Sequence, residues 1–102
     1  MYVLNISSKV DHSVITEWIE WQKNKFIPSL MATGLIHHNQ FYKLLAHDDD
    51  EGAMYILQLQ FTNSDNLQNF ISKYDNVFMM NAANKWGDKF ISFTTTLKLI
   101  GN

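Results

Sequence analysis

Ala53-Met-Tyr-Ile-Leu-Gln-Leu-Gln-Phe-Thr62 is followed, one residue later, by Ser64-Asp-Asn-Leu-Gln-Asn-Phe-Ile71. The apolar period changes across that junction. In the first stretch Tyr55, Leu57, Leu59 and Phe61 take one side; Met54, Ile56, Gln58 and Gln60 take the other. A period of two is a strand. In the second, Leu67, Phe70, Ile71, Tyr74 and Phe78 fall at i, i+3, i+4, i+7 and i+11, which is one face of a helix. Ser64 is placed to cap it. Asp75 restarts the helix after a kink, and Gly87 stops it after about Lys85. A strand that feeds directly into an amphipathic helix is half of a crossover unit.

The same pairing recurs upstream. Tyr2 to Ser8 alternates, with Tyr2, Leu4 and Ile6 on one side and Val3, Asn5 and Ser7 on the other. Asp11 or Ser13 then offers an N-cap. Val14, Ile15, Trp18, Ile19, Trp21, Gln22 and Phe26 form one broad helical side, with Glu17, Glu20, Lys23 and Asn24 opposite. Pro28 is expected to kink or end this helix near Ile27, and Gly34 to supply a left-handed cap. Leu35 to His47 reads as a strand, joined to the strand at residue 53 by Asp48-Asp-Asp-Glu-Gly52 as a hairpin. Lys89 to Ile100, rich in Phe and Thr, is the last strand. The order is β-α-β-β-α-β. That predicts an α+β, ferredoxin-like fold, a four-stranded antiparallel sheet carrying both helices on one face, in a single domain over residues 1–102.

Composition narrows the functions. Of 102 residues, 46% are apolar and 18% charged, an ordinary globular balance. Net charge is −2, and all 8 basic residues are lysine. A nucleic-acid partner would call for a basic excess and arginine forks, so none is expected. Cysteine is absent, which removes disulfides, thiolate ligands and thiol nucleophiles. No apolar run reaches the roughly 18 residues of a membrane span. Met1 to Ser8 lacks a basic head and a cleavable apolar stretch, so the expected location is the cytoplasm, away from membranes.

The sheet face turned away from the helices is the most informative surface. It is expected to carry Val3, Asn5 and Ser7, then Met54, Ile56, Gln58 and Gln60, then Ser92, Thr94 and Thr96, with Lys98 as its one charge. Water-facing sheet surfaces carry lysine and glutamate; charge depletion marks the centre of an interface. Two copies stacking these faces would give a homodimer, with Met54, Ile56, Gln58, Gln60, Ser92, Thr94 and Thr96 at the contact.

Trp18-Ile-Glu-Trp21, Ile27-Pro28, Ala32-Thr-Gly34, Tyr55-Ile-Leu-Gln58 and Phe90-Ile-Ser-Phe93 occur in an order that resembles an uncharacterised family, the domain-of-unknown-function family numbered four-two-eight-six. The resemblance runs from about Tyr2 to Leu99. It implies a dimeric α/β-barrel protein of the ferredoxin-like superfamily, and no particular reaction. Phe26 stands where the family often has a histidine, and Thr94 where it often has an arginine. The wider superfamily includes cofactor-free monooxygenases, small isomerases, haem-handling enzymes and stress-response proteins, which is analogy at the level of fold.

Few residues suggest chemistry. His37 and His38 are adjacent on a strand and point to opposite faces, so they do not share a metal; one is expected to face the helices. They are the weak candidates for an acid–base role. Trp18 and Trp21, with Trp86 at the end of the second helix, are candidates for a pocket wall; Asn5 is a candidate for orienting a ligand or bridging two protomers. The run after His47 lacks the alternating carboxylates of a calcium loop, and no metal is expected. The second helix has no histidine to ligate haem, phosphate-cradling glycines are missing, and no cofactor is expected. Two readings remain: a non-catalytic or small-ligand-binding dimer, and a cofactor-independent monooxygenase- or isomerase-like enzyme acting on a small flat apolar substrate.

Overall fold

A computed structural model describes residues 1–45 and 52–101. The strands are β1 (Tyr2–Val10), β2 (His38–Lys43), β3 (Ala53–Phe61) and β4 (Phe90–Lys98). They form one antiparallel sheet in the order β2-β3-β1-β4. Helix α1 (residues 15–31) follows β1, and helix α2 (residues 64–86) follows β3. Leu4 and Ile6 of β1 and Leu57, Leu59 and Phe61 of β3 bury against Phe26, Ile27 and Leu30 of α1 and Leu67, Phe70 and Ala82 of α2. Both helices thus lie on one face, the ferredoxin-like α+β arrangement that the alternation of periods predicts.

Each helix contains a wide turn, and the sequence explains why. In α1 the buried residues Trp18, Gln22, Phe26 and Leu30 recur every four positions. An α-helix turns in 3.6 residues, so over three turns this stripe lags by about one residue. The π-helical turn Gln22–Phe26, between the α segments Ile15–Trp21 and Ile27–Met31, takes up that residue. It also accommodates Pro28, whose ring would collide with the Asn24 carbonyl in regular winding. The helix therefore continues past the expected break to Met31, and Gly34 (φ 77°) follows as the left-handed cap. In α2, Phe70, Tyr74, Phe78 and Ala82 repeat the four-residue spacing and pack on the core. There the π-helical turn is Ile71–Asp75, so Asp75 closes a wide turn in a continuous helix. The cap is Asn63, whose side chain accepts from the Asn66 amide at 2.8 Å; Ser64 is the first helical residue.

Two expectations about strands need correction. The strand expected from Leu35 is shorter, because Ile36 drops into the core as part of the link from α1 and pairing begins near His38. Its expected end, His47, and the acidic hairpin tip lie outside the described residues. The second correction concerns phase. β4 pairs Ser7 with Phe93, Lys9 with Ile91 and Val3 with Leu97. Directly opposed residues share a face, so Ile91, Phe93, Thr95 and Leu97 lie on the outer face. Ser92, Thr94 and Thr96 pair with Ser8, Ile6 and Leu4, on the helix side. Lys98 moves with them, opposite Tyr2, and the charge on the outer face is Lys9. Phe90 and Phe93 are an odd number apart, so either phase turns one of them outward. Phe90 goes inward because its ring meets Trp18 at 6.4 Å.

Gly52 immediately precedes β3 with φ 150°, and a Cβ there would sit 2.6 Å from the Val10 carbonyl oxygen. Both groups are backbone, so neither yields cheaply. Gly52→Ala is expected to cost about 2 kcal/mol or more in urea unfolding. Asp75 is half-buried, and burial raises its carboxyl above the usual carboxylate range. A raised folded-state value means that the native chain holds the proton more tightly than the unfolded chain. Its contribution to stability is then full below the unfolded value and is lost as pH rises through the folded one. Asp75→Asn is expected to stabilise the chain at neutral pH by on the order of 0.5 kcal/mol, and the gain should vanish in acid.

Candidate functional site

Two surfaces carry the features singled out by sequence. The first is a small cavity between α1 and the sheet. Trp18 is 1% exposed. Its ring centroid lies 5.3 Å from Tyr55 and 5.8 Å from Phe41. Gln22, one turn later on the same helix face, is 5% exposed. Both line a cavity of about 10 Å³ with Ser8, Phe26, Phe41, Tyr55, Met79 and Phe90. That is the space of about one water molecule. Trp18 Nε1 and Gln22 Oε1 are both buried without a hydrogen-bond partner among the described residues, as is Trp86 Nε1 outside this cavity. Natural proteins rarely leave such atoms unpaired. The sequence places Gln22 on the apolar side of its helix without giving it a role. A polar side chain four residues after Trp18 on that side is the signal that finds it.

Trp21 and Trp86 are elsewhere. Their rings meet edge-on at 5.7 Å, and Trp21 stacks on Phe26 at 4.8 Å. They line an open groove of about 310 Å³ between the two helices, with Glu17, Glu20, Lys25 and Lys85 at its rim. The Lys85 ammonium sits 5.3 Å from the Trp86 ring. The structure therefore separates Trp18 from Trp21 and Trp86: residues three apart on a regular helix point about 60° apart, and Trp18 goes to the sheet while Trp21 meets Trp86 of the other helix.

Neither histidine joins these groups. His37 and His38 are both exposed, against the expectation that one faces the helices. They stand at the start of β2, an edge strand with a neighbour on one side only. The His37 amide donates to the Gln60 carbonyl at 2.7 Å, and His38 is registered opposite Gln60 on the outer face. Among the described residues, no three His, Asp or Glu side chains come together to hold a metal ion. No described helix is long and apolar enough to cross a membrane.

The second surface is the outer sheet face. Asn5 lies here, remote from the cavity. It accepts from Gln58 Nε2 at 3.3 Å and donates to Ser7 Oγ at 3.2 Å. Met54, Ile56, Gln58 and Gln60 are half-buried on this face, as expected. The corrected phase of β4 adds Ile91 (65% exposed), Phe93 (59%) and Leu97, and β2 adds Tyr42.

Comparison with known proteins follows the fold. A family model described as "Domain of unknown function (DUF4286)" matches residues 1–100. The chain belongs to this family. No curated protein matches the sequence of this DUF4286 member. Its structure is similar to an ethyl tert-butyl ether d (ethd) family protein from Bacillus halodurans (TM-score 0.71, 12% identity, covering 98% of this chain and 100% of that one). It is similar to HapK from Hahella chejuensis (TM-score 0.71, 8% identity, 100% and 95% covered). It is also similar to a dimeric ferredoxin-like protein from an uncultured marine organism (TM-score 0.66, 6% identity, 99% and 97% covered). At these identities the likeness is one of fold.

Trp18 joins α1 to three strands through Phe41, Tyr55 and Phe90, so Trp18→Ala is expected to cost about 3–5 kcal/mol. His37→Ala and His38→Ala, at exposed positions, should each stay within about 0.5 kcal/mol of wild type in the same denaturant titration.

Proposed function

We propose that the DUF4286 chain works as a homodimer, formed by stacking the outer sheet faces, and that this dimer is a small-ligand-binding module. One observation carries the dimer. The outer face presents Tyr42, Ile91, Phe93 and Leu97 to solvent, and its other side chains are mostly uncharged. A sheet face with this much exposed apolar area and so few charges is uncommon on a monomer. Phe93 alone gains about 1.5–3 kcal/mol on full burial. The neighbour from the marine organism is described as dimeric, which supports the reading.

The half-buried strip Asn5, Ser7 and Gln58 fits such a contact. Its side chains hydrogen-bond one another within the protomer, so part of their hydrogen-bonding capacity is met before any contact forms. Met54 and Ile56 add apolar area beside them. The proposed contact keeps Met54, Ile56, Gln58 and Gln60 and replaces Ser92, Thr94 and Thr96 with Ile91, Phe93 and Leu97.

Binding is favoured over turnover by where the polar groups lie. A general base must reach the proton it takes. His37 and His38 stand at the sheet edge, and neither lines the cavity between helix and sheet. The polar side chains that do line it, those of Ser8, Trp18, Gln22 and Tyr55, are hydrogen-bond donors and acceptors suited to holding a ligand.

Sedimentation equilibrium at micromolar concentration should give twice the chain mass. Phe93→Glu should reduce it to one chain mass with an unchanged far-ultraviolet circular dichroism spectrum. A monomeric wild-type protein overturns the proposal.

A further inference from the structure

We infer that the small cavity under α1 is a hydroxyl-binding site, and that it takes a small uncharged hydroxyl compound. The inference rests on the reading of the chain as a ligand-binding module and names the class of ligand. Trp18 and Gln22 are four residues apart, so their side chains neighbour each other on one helix face. Trp18 Nε1 is a donor and Gln22 Oε1 an acceptor; both are buried, both side chains line the same cavity, and neither atom has a partner among the described residues. A hydroxyl is the smallest group that satisfies both at once: its oxygen accepts from the indole N–H and its proton goes to the amide oxygen. In a cavity of about 10 Å³ that group is a water molecule at rest.

The walls restrict what replaces the water. None of the residues lining the cavity is acidic, basic or histidine. A carboxylate or an ammonium would lose its hydration there with no opposite charge to meet it. Phe26, Phe41, Tyr55 and Phe90 supply ring faces, so the body of the ligand is apolar. Room comes from Met79 of α2, which is half-buried beside Ala82 and borders the same space. Methionine is unbranched and has three rotatable bonds, so its side chain swings aside without moving the helix. Gln22 and Trp18 then hold the ligand's hydroxyl, and the space left by Met79 takes its body.

Phenol, toluene and benzoate are the probes, titrated into the full-length protein while the indole N–H resonances are followed by nuclear magnetic resonance. Trp18→Phe assigns the Trp18 signal. Phenol should shift that signal and leave Trp21 and Trp86 unmoved. Toluene should bind about ten-fold more weakly, the value of one net hydrogen bond, and benzoate should not bind. Gln22→Leu should bring phenol and toluene to within about two-fold of each other. Met79→Ala, which widens the cavity, should tighten phenol. If phenol leaves the Trp18 signal in place in both the wild-type protein and Met79→Ala, the inference is wrong and the site holds water only. It is equally wrong if the preference for phenol survives Gln22→Leu. The mass of each sample separates this from the dimer: a monomer that binds phenol overturns the stacked dimer alone, and a dimer that ignores phenol overturns the hydroxyl site alone.

Discussion

Trp18 is the point where the two layers are locked together. Its ring touches Phe41 on β2, Tyr55 on β3 and Phe90 on β4, so one side chain of α1 reaches three of the four strands. That contact sets the height of the helix over the sheet. It also decides the phase of β4. Phe90 turns inward to meet the indole, and Phe93, three residues on, is left facing out. The apolar character of the outer face is therefore a consequence of how the inner face is packed.

The two sheet faces divide the chemistry. On the inner face, apolar side chains from both layers interdigitate, and among the described residues the polar ones that are fully buried are Ser8 and Gln22. On the outer face the centre is occupied by a short amide and hydroxyl network, with apolar side chains on either side. Groups already bonded to one another bring little desolvation cost to a contact. An outer face of that composition is suited to association, whereas the inner cavity is enclosed and suited to a small molecule. The proposed dimer contact and the proposed ligand site thus draw on opposite sides of the same strands.

Much of this was legible in the sequence. The alternation in β1 and β3 is clean, because each has one apolar and one mixed face, so the two faces of the central pair are legible. The helices were legible from their stripes. The phase of β4 was not, since Phe90, Ile91, Phe93 and Leu97 put bulk on both parities and only a tertiary contact breaks the tie. The passage of α1 beyond Pro28 was hidden for a related reason: local rules for proline assume regular winding, and the four-residue spacing of Trp18, Gln22, Phe26 and Leu30 is what departs from it. Gln22 is not legible as a site residue, because a glutamine among apolar neighbours reads as the margin of a stripe. The exposure of both histidines depends on β2 lying at the sheet edge, which is a matter of strand order rather than of residue pattern.

The wide turn in α1 bears on how this chain tolerates changes of length. Lys23, Asn24 and Lys25 are exposed along it, and the turn holds about one residue more than regular winding needs. Loss of one of those three would let the segment rewind as an ordinary helix with Leu30 still directed at the sheet. The same loss in a straight helix would swing everything downstream by about 100° and strip the core of its contacts. The region before Pro28 is thus a slack point for the buried stripe: the core keeps its facing when a codon is lost there, provided that Pro28 is replaced as well, since regular winding would set its ring against the carbonyl four residues earlier.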